Sequence, residues 1–199
     1  MKYHNTGYSI IVLLLIVISV VYTQQVNDKL RLELLAMQTR DQQIREKVIE
    51  LKSSNKIDST LFAQMNQIDS ANTIRMKQII HDSGWPGKSL VGQDGADAVF
   101  LIVQHSSDKL FQRSCLPLME NAFKVGEASG PDLALLTDRV RIYEGKPQLY
   151  GSQVRIINGK IEIDSIVDKS NLDKRRALRG LPPMDEYLKM LKQVYHLKD

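Results

Sequence analysis

The stretch Asp94–His105 reads DGADAVFLIVQH and sets the fold class of the whole chain. Residues 98–103 are apolar at every position, so periodicity alone fits a buried strand and a buried helix equally well. The alanines and the acidic first turn favour the helix, since alanine has the best helix propensity and acidic side chains stabilise helix N-termini. We predict a buried helix that runs directly into two polar residues, Gln104 and His105.

Apolar residues at helical spacing continue on both sides of this stretch. Upstream they recur every three or four positions in two long rows, which is typical of amphipathic helices. Downstream, Gly126 and Gly145 end two further rows, as glycine commonly does at helix C-termini. A basic cluster, residues 174–176 with Arg179, is interpreted as a solvated helix face. The additional predicted helices cover about residues 30–51, 59–79, 108–125, 130–144, 170–179 and 183–194.

The pattern changes to strict alternation around an Asn-Gly turn in Val154–Ile163, VRIINGKIEI. Asn-Gly between two such runs predicts a two-residue β-hairpin turn. Folding about that turn pairs Ile156 with Ile161 on an apolar face and leaves the opposite face polar. The predicted fold is therefore mainly α: a single α-rich domain, residues 24–199, of five to seven helices with one β-hairpin at about 149–167.

Residues 1–23 differ in composition from the rest of the chain. Their run Ile10–Val21, IIVLLLIVISVV, is about as long as a signal-peptide core and shorter than the roughly 20 residues that span a bilayer. We predict a signal peptide cleaved before Gln24, with an uncleaved membrane anchor at residues 8–22 as the alternative. Both place the domain outside the cytoplasm, secreted or periplasmic in the first case and membrane-anchored in the second.

Composition excludes several classes of protein. The 199 residues are 43% hydrophobic and 25% charged, which is typical of globular domains and excludes disordered or fibrous chains. A net charge of +4 is too small to indicate a nucleic-acid partner. The single cysteine, Cys115, excludes an intramolecular disulfide and a thiolate metal cluster. The four histidines lack ligand-like spacing, so we predict neither a metal nor another cofactor.

Two polar residues interrupt the apolar rows of the first two helices. Asp41 stands where an apolar residue is expected in the first row, and Asn72 does so in the second. A buried carboxylate without partners costs several kcal/mol, so these side chains need partners. Arg45 and Arg75 are close enough in sequence to pair with them in a clamp between the two helices. The alternative is that they line a polar cavity.

His105 and Asp108 are three residues apart, which places them on one face of a continuous helix. On one hypothesis Asp108 orients or charges the imidazole, and His105 serves as a general base at the mouth of a pocket. On the other, Asp108 caps the next helix and His105 hydrogen-bonds a turn. The candidate catalytic residues are His105, Asp108 and Asp138.

A larger set of residues provides polar or aromatic groups near helix ends and at the entry to the hairpin, where ligand contacts often lie. Trp85 is the candidate apolar wall of the cavity, and the others supply hydrogen bonds or charge. The candidate ligand-binding residues are Asp41, Asn72, Trp85, Gln104, Arg139, Tyr150 and Gln153.

A series of short motifs runs in order through the stretch from Asn72 to Tyr187. They are GWP (84–86), LVG (90–92), LIVQH (101–105), FQ (111–112), DRV (138–140), GKPQLYGSQ (145–153), RR (175–176) and GLPP (180–183). In these motifs the chain resembles an uncharacterised bacterial family of domains of unknown function. Ser152 departs from the family's usual threonine but keeps the hydroxyl. The resemblance implies a shared domain, with a core at about 72–187, and a shared site, but no activity.

Three functions are compatible with these observations. The leading hypothesis is an extracytoplasmic domain that binds a small molecule or an envelope polymer in one polar pocket. The first alternative is a hydrolase-like enzyme that uses His105 as general base. The second is a structural protein that binds a partner through its first helix. A nucleic-acid partner is not predicted, and membrane contact is expected only through an uncleaved N-terminal segment.

Overall fold

The computed structural model describes residues 25–53 and 58–197. Within these ranges the chain forms seven α-helices, one 3-10 turn and one two-stranded sheet, which confirms the mainly α prediction. The predicted leader, residues 1–23, lies outside the described residues. The elements are α1 (Asp28–Ser53), α2 (Ser59–Ser83), α3 (Lys88–His105), α4 (Lys109–Lys124), α5 (Gly130–Tyr143), β1 (Val154–Ile157), β2 (Lys160–Ile163), a 3-10 turn (Lys169–Asn171), α6 (Leu172–Ala177) and α7 (Met184–Val194).

The apolar stretch at 98–103 is helical and forms the centre of the core. Val99, Ile102 and Val103 on α3 are each at most 2% exposed. The helix begins at Lys88, six residues before the predicted start, and is interrupted at Gly92. Gly92 has φ 74° and ψ 170°, a conformation that only glycine adopts readily, so the helix changes direction there.

Side-chain pairs between helices fix their relative directions. Arg31 pairs with Asp94 and Asp41 with His105, so α1 and α3 run parallel. Glu33 pairs with Arg75, and Arg45 pairs with Asp69, so α1 and α2 run antiparallel. The C-terminal end of α3 therefore lies beside the middle of α1 and of α2. Further core residues on these helices include Leu34, Met37, Met76, Ile79 and Val91.

The hairpin has the predicted register, with Val154 opposite Ile163 and Ile156 opposite Ile161. It lies at the edge of the helical domain, where most of its residues are exposed or half-buried. Its first strand begins at Val154, directly after Gln153, so the hairpin helps to fix the backbone position of Gln153. None of the helices within the described residues is long and apolar enough to cross a membrane.

Candidate functional site

Asp41 is a deeply buried charged group, with 1% of its surface exposed. Its Oδ2 lies 2.8 Å from Nδ1 of His105 and accepts a hydrogen bond from Gln42 Nε2 at 2.7 Å. Its Oδ1 accepts a hydrogen bond from Arg45 Nε at 3.1 Å. Asp41 is therefore paired within α1, as the clamp hypothesis requires, and also contacts the end of α3.

Arg45 connects three helices at this point. Its Nη2 donates to Asp69 Oδ1 on α2 at 2.6 Å, while its Nε lies 3.0 Å from His105 Nδ1 on α3. Asp69 is 8% exposed and was not among the predicted site residues. The sequence spacing of Asp69 indicates its burial: it follows Met65 by four residues and precedes Asn72 by three, which places it on the buried face of α2.

The two carboxyl groups have opposite pKa shifts. Burial opposes ionisation of Asp41, but the hydrogen bond from His105 and the charges of His105 and Arg45 outweigh it and hold its pKa below the ordinary value. Burial raises the pKa of Asp69; Arg45 opposes that rise, and the neighbouring Asp41 adds to it. As pH falls, Asp69 is therefore protonated before Asp41.

Arg139 on α5 lies on the other side of the α3 terminus, and its hydrogen-bond partners among the described residues are uncharged oxygens. Its Nη1 donates to the backbone carbonyl of Gln104 at 2.6 Å, and its Nε donates to Gln153 Oε1 at 3.2 Å. With its amide oxygen turned toward the guanidinium, the Gln104 side chain accepts from Nε at 3.0 Å and from Nη2 at 3.2 Å. Within the described part of the chain, Arg139 forms no ion pair with a carboxylate.

The surroundings of Arg139 disfavour its positive charge. Burial lowers the pKa of Arg139, Tyr143 opposes this effect, and the positive charge of Arg45 adds to it. Tyr143, also on α5, hydrogen-bonds Arg139. The Nζ of Lys109 lies over the ring of Tyr143, 4.7 Å from the ring centroid. Arg45, Arg139 and Lys109 thus lie near the end of α3, and of these three Arg45 is paired with buried carboxyl groups within the described residues.

The C-terminal carbonyls of α3 join the two halves of this site. Gln112 on α4 is fully buried, and its Nε2 donates to the carbonyls of Val103 and Gln104 at 3.0 and 2.9 Å. These bonds satisfy acceptors that a helix terminus leaves unpaired. Gln104 and His105 are consecutive, so fixing this terminus positions Gln104 toward Arg139 and His105 toward Asp41.

Asp138 does not contact His105, although it precedes Arg139 directly. Its fully buried carboxylate accepts from the backbone N–H groups of Leu149, Tyr150 and Ser152 at 2.7, 3.1 and 2.9 Å. The hydroxyl of Ser152, at the position where the resemblance expects threonine, donates to the same carboxylate at 3.0 Å. Asp138 thus holds the segment that delivers Gln153 to Arg139.

Asp108 lies just beyond α3 and contacts α4 and α2. Its Oδ1 accepts from the backbone N–H of Phe111 at 2.9 Å, and its Oδ2 pairs with Lys77 at 2.6 Å. The structure therefore gives Asp108 the capping geometry of the second hypothesis, and Asp41 occupies the position beside His105.

The remaining predicted residues lie apart from His105. Asn72 donates to the Met37 carbonyl at 3.5 Å between α1 and α2, while Arg75 pairs with Glu33 instead. Trp85 packs on the core before α3 begins, at the opposite end of that helix from His105. The Tyr150 hydroxyl accepts from Arg179 at 3.0 Å. The structure brings together Asp41, Gln104, His105, Arg139 and Gln153, and adds Arg45 and Asp69.

Among the described residues, no three His, Cys, Asp or Glu side chains are arranged to hold a metal ion. Asp41, Arg45, Asp69 and His105 contact one another through hydrogen bonds and ion pairs, and Arg139 lies on the other side of the same helix end; these five residues form the polar cluster.

A sequence pattern shared by a protein family matches residues 28–199. The chain belongs to DUF6624, a family of unknown function. The match confirms the resemblance and extends beyond the expected core at 72–187 in both directions. It includes α1 and α2, so Asp41, Arg45 and Asp69 lie within the DUF6624 domain. No curated protein and no solved structure is similar enough to this chain to be matched.

Proposed function

We propose that this DUF6624 domain binds a ligand through an anionic group, a carboxylate or a phosphate, at the polar cluster. The observation that carries the proposal is Arg139, a half-buried guanidinium whose contacts are all to uncharged oxygens. A guanidinium out of bulk water without a counter-charge is costly, and an anion at this place would provide that charge.

The donors of Arg139 suit an oxyanion. A guanidinium has five N–H groups, and the contacts to Gln104 and Gln153 use one on each nitrogen. At most one N–H then remains on each terminal nitrogen, and the hydrogen bond with Tyr143 draws on these; a carboxylate or phosphate would bind to the donors that are left. Lys109 near Tyr143 adds positive charge at the exposed edge and would attract an anion to it.

His105 provides the second contact to the ligand. Its side chain is 20% exposed, and Nδ1 is engaged by Asp41 and Arg45. Nε2 has no hydrogen-bond partner in the part of the chain that the structure describes, so it is available to a ligand. Envelope polymers that carry carboxylates or phosphates belong to the same chemical class, and the export predicted from residues 1–23 would bring the domain to them.

Isothermal titration of the protein with inorganic phosphate and with malonate tests this proposal. Arg139→Lys keeps the charge but loses the planar fork, so we expect binding to weaken about tenfold or more, which is ~1.4 kcal/mol. The matched control is Arg155→Lys on the exposed hairpin, which should bind as the wild type does. Equal affinity of the Arg139 variant and the control would overturn the proposal.

A second candidate function is hydrolysis with His105 as general base, and the contact between Asp41 and His105 favours it. A buried carboxylate at Nδ1 orients an imidazole so that Nε2 can take a proton from an attacking water. Arg139 would stabilise the negative charge that develops on the substrate, and the proton on Nε2 would pass to the leaving alcohol. Turnover of p-nitrophenyl phosphate or carboxylate esters that His105→Gln abolishes would support this function, and turnover unchanged by that variant would exclude this role of His105.

The structural hypothesis, partner binding through the first helix, gains no support from the geometry. The apolar row of α1, which includes Leu34, Met37, Ile44 and Val48, is buried within the domain. A partner would have to displace α2 or α3 to reach it.

A further inference from the structure

Nδ1 of His105 has two neighbours that make opposite demands on it. Asp41 Oδ2, at 2.8 Å, can only accept a hydrogen bond, so it requires a proton on Nδ1. Arg45 Nε, at 3.0 Å, can only donate one, so it requires a lone pair there. A neutral imidazole carries a proton on one nitrogen and a lone pair on the other, so only one of these bonds can form at a time.

The two arrangements differ in what they leave unpaired. With the proton on Nδ1, His105 donates to Asp41 Oδ2, and Arg45 Nε donates to Asp41 Oδ1 at 3.1 Å instead. All these polar groups are then paired. With the proton on Nε2, Arg45 donates to Nδ1, and the charged Oδ2 of Asp41 faces a lone pair at 2.8 Å. The first arrangement is therefore favoured for as long as Asp41 is ionised.

We propose that Asp41 is a positioning residue that holds His105 in the tautomer with the proton on Nδ1, and that Arg45 is the competing donor that takes Nδ1 of the neutral imidazole when the carboxylate is removed by substitution. Asp69 on α2 anchors Arg45 from the opposite side at 2.6 Å. The charged and titratable groups around the imidazole are thus Asp41 and Arg45 on α1, Asp69 on α2 and Arg139 on α5.

This tautomer narrows the class of ligand that the site would bind, an inference that rests on the proposed function. Nε2 then presents a lone pair, while Arg139 presents only donors. A matching ligand carries a hydrogen-bond donor, such as a hydroxyl or a bound water, next to its anionic oxygens. An imidazole with its proton on Nε2 would instead select a second acceptor.

Imidazole ¹⁵N NMR of the protein without ligand, at about pH 8.5 where an ordinary histidine is neutral, measures the tautomer of His105. We expect the wild type to carry the proton on Nδ1. Asp41→Asn removes the charge and supplies an amide donor, so we expect loss of that tautomer and a proton on Nε2. Asp108→Asn is the matched control, because Asp108 contacts α2 and α4 rather than His105, and it should keep the wild-type tautomer.

A wild-type spectrum with the proton on Nε2, or an Asp41→Asn spectrum identical to the wild type, overturns the proposal. The wild-type measurement decides even where the variant does not fold. The outcome is also distinct from that of the proposed function: a proton on Nδ1 together with no binding of phosphate or malonate would contradict anion binding and leave the positioning role of Asp41 intact.

Discussion

Asp138 illustrates how one buried carboxylate can organise a whole segment. Its two oxygens accept from four donor groups, three backbone N–H groups and the Ser152 hydroxyl, all between residues 149 and 152. Hydrogen bonds to a charged acceptor are stronger than neutral ones, and each lost partner in a buried site leaves a donor unsatisfied. The segment that carries Gln153 to Arg139 therefore depends on this single side chain.

We predict that Asp138→Asn destabilises the protein by about 2–4 kcal/mol in urea unfolding, because the amide group turns a donor toward backbone donors. Phosphate binding should also weaken, since Gln153 loses its support. Asp164→Asn, which removes an exposed ion pair with Arg155, is the control and should cost no more than about 1 kcal/mol. A variant at 138 as stable as the control would show that the carboxylate does not hold the segment.

The sequence allowed part of the polar cluster to be predicted from individual residues. Asp41 was found because a charge in an apolar row requires partners, and His105 because it ends a buried stretch. The partner of His105 was not predictable, because α1 and α3 are more than 60 residues apart in sequence and only packing brings them together. Asp138 and Arg139 are neighbours on α5, but Asp138 binds the segment at 149–152 and Arg139 binds the end of α3. The spacing of apolar residues in α5 does not predict this difference.

The connection between α3 and α4 is held by a cap. Asp108 accepts from the N–H of Phe111 and pairs with Lys77, and its pKa is held below the ordinary value first by Lys77 and then by the backbone bond. A lowered pKa in the folded state means stability that is present above the ordinary pKa and lost as pH falls through the folded value.

We predict that Asp108→Ala lowers the free energy of unfolding by about 1 kcal/mol at pH 7, the usual cost of losing an N-cap. The difference from wild type should shrink as pH falls below about 4, the ordinary pKa, because the unfolded chain then binds a proton that the folded carboxylate, with its lower pKa, does not yet bind. Titration with phosphate should give wild-type affinity. A large loss of affinity with unchanged stability would instead place Asp108 in the site.

Among the elements, the helices and the hairpin register follow from the sequence because periodicity and the Asn-Gly turn are local signals. The basic cluster at 174–176 and Arg179 shows that local signals do not predict which charged side chains are buried. Arg176 is 1% exposed, donates to the carbonyls of Tyr150 and Pro182 at 2.6 Å, and lies 4.8 Å from the ring of Tyr187. The interpretation of this cluster as a solvated face was wrong for Arg176, because its two carbonyl partners lie in loops on either side of α6, at Tyr150 and Pro182, that only the folded chain brings to it.

At the scale of the whole molecule, different carboxyl groups should change the free energy of unfolding in opposite directions as pH rises. Carboxyl groups with lowered pKa values, such as Asp41 and Glu33, stabilise the fold above their ordinary pKa and lose this contribution in acid. Asp132 behaves in the opposite way. Burial raises its pKa from 3.8 to about 6, with the nearby Asp97 adding to the rise and a hydrogen bond from Ser129 opposing it.

The sign for Asp132 follows from its stronger proton binding in the folded state. Its favourable contribution is complete below about pH 4 and is lost as pH rises through about 6. We therefore predict that Asp132→Asn has a higher melting temperature than the wild type at pH 8 and no such advantage at pH 4. An equal difference at both pH values would contradict the raised pKa of Asp132.

Anion binding by the whole molecule requires that Arg139 and His105 form one site at the end of α3. An NMR titration of the wild-type protein with inorganic phosphate, following the Arg139 guanidinium and His105 imidazole signals together, measures this. We predict that both signals move along one saturable curve with a single dissociation constant, while the exposed Arg155 does not respond. Signals that stay fixed, or that move no more than that of Arg155, would contradict a site there.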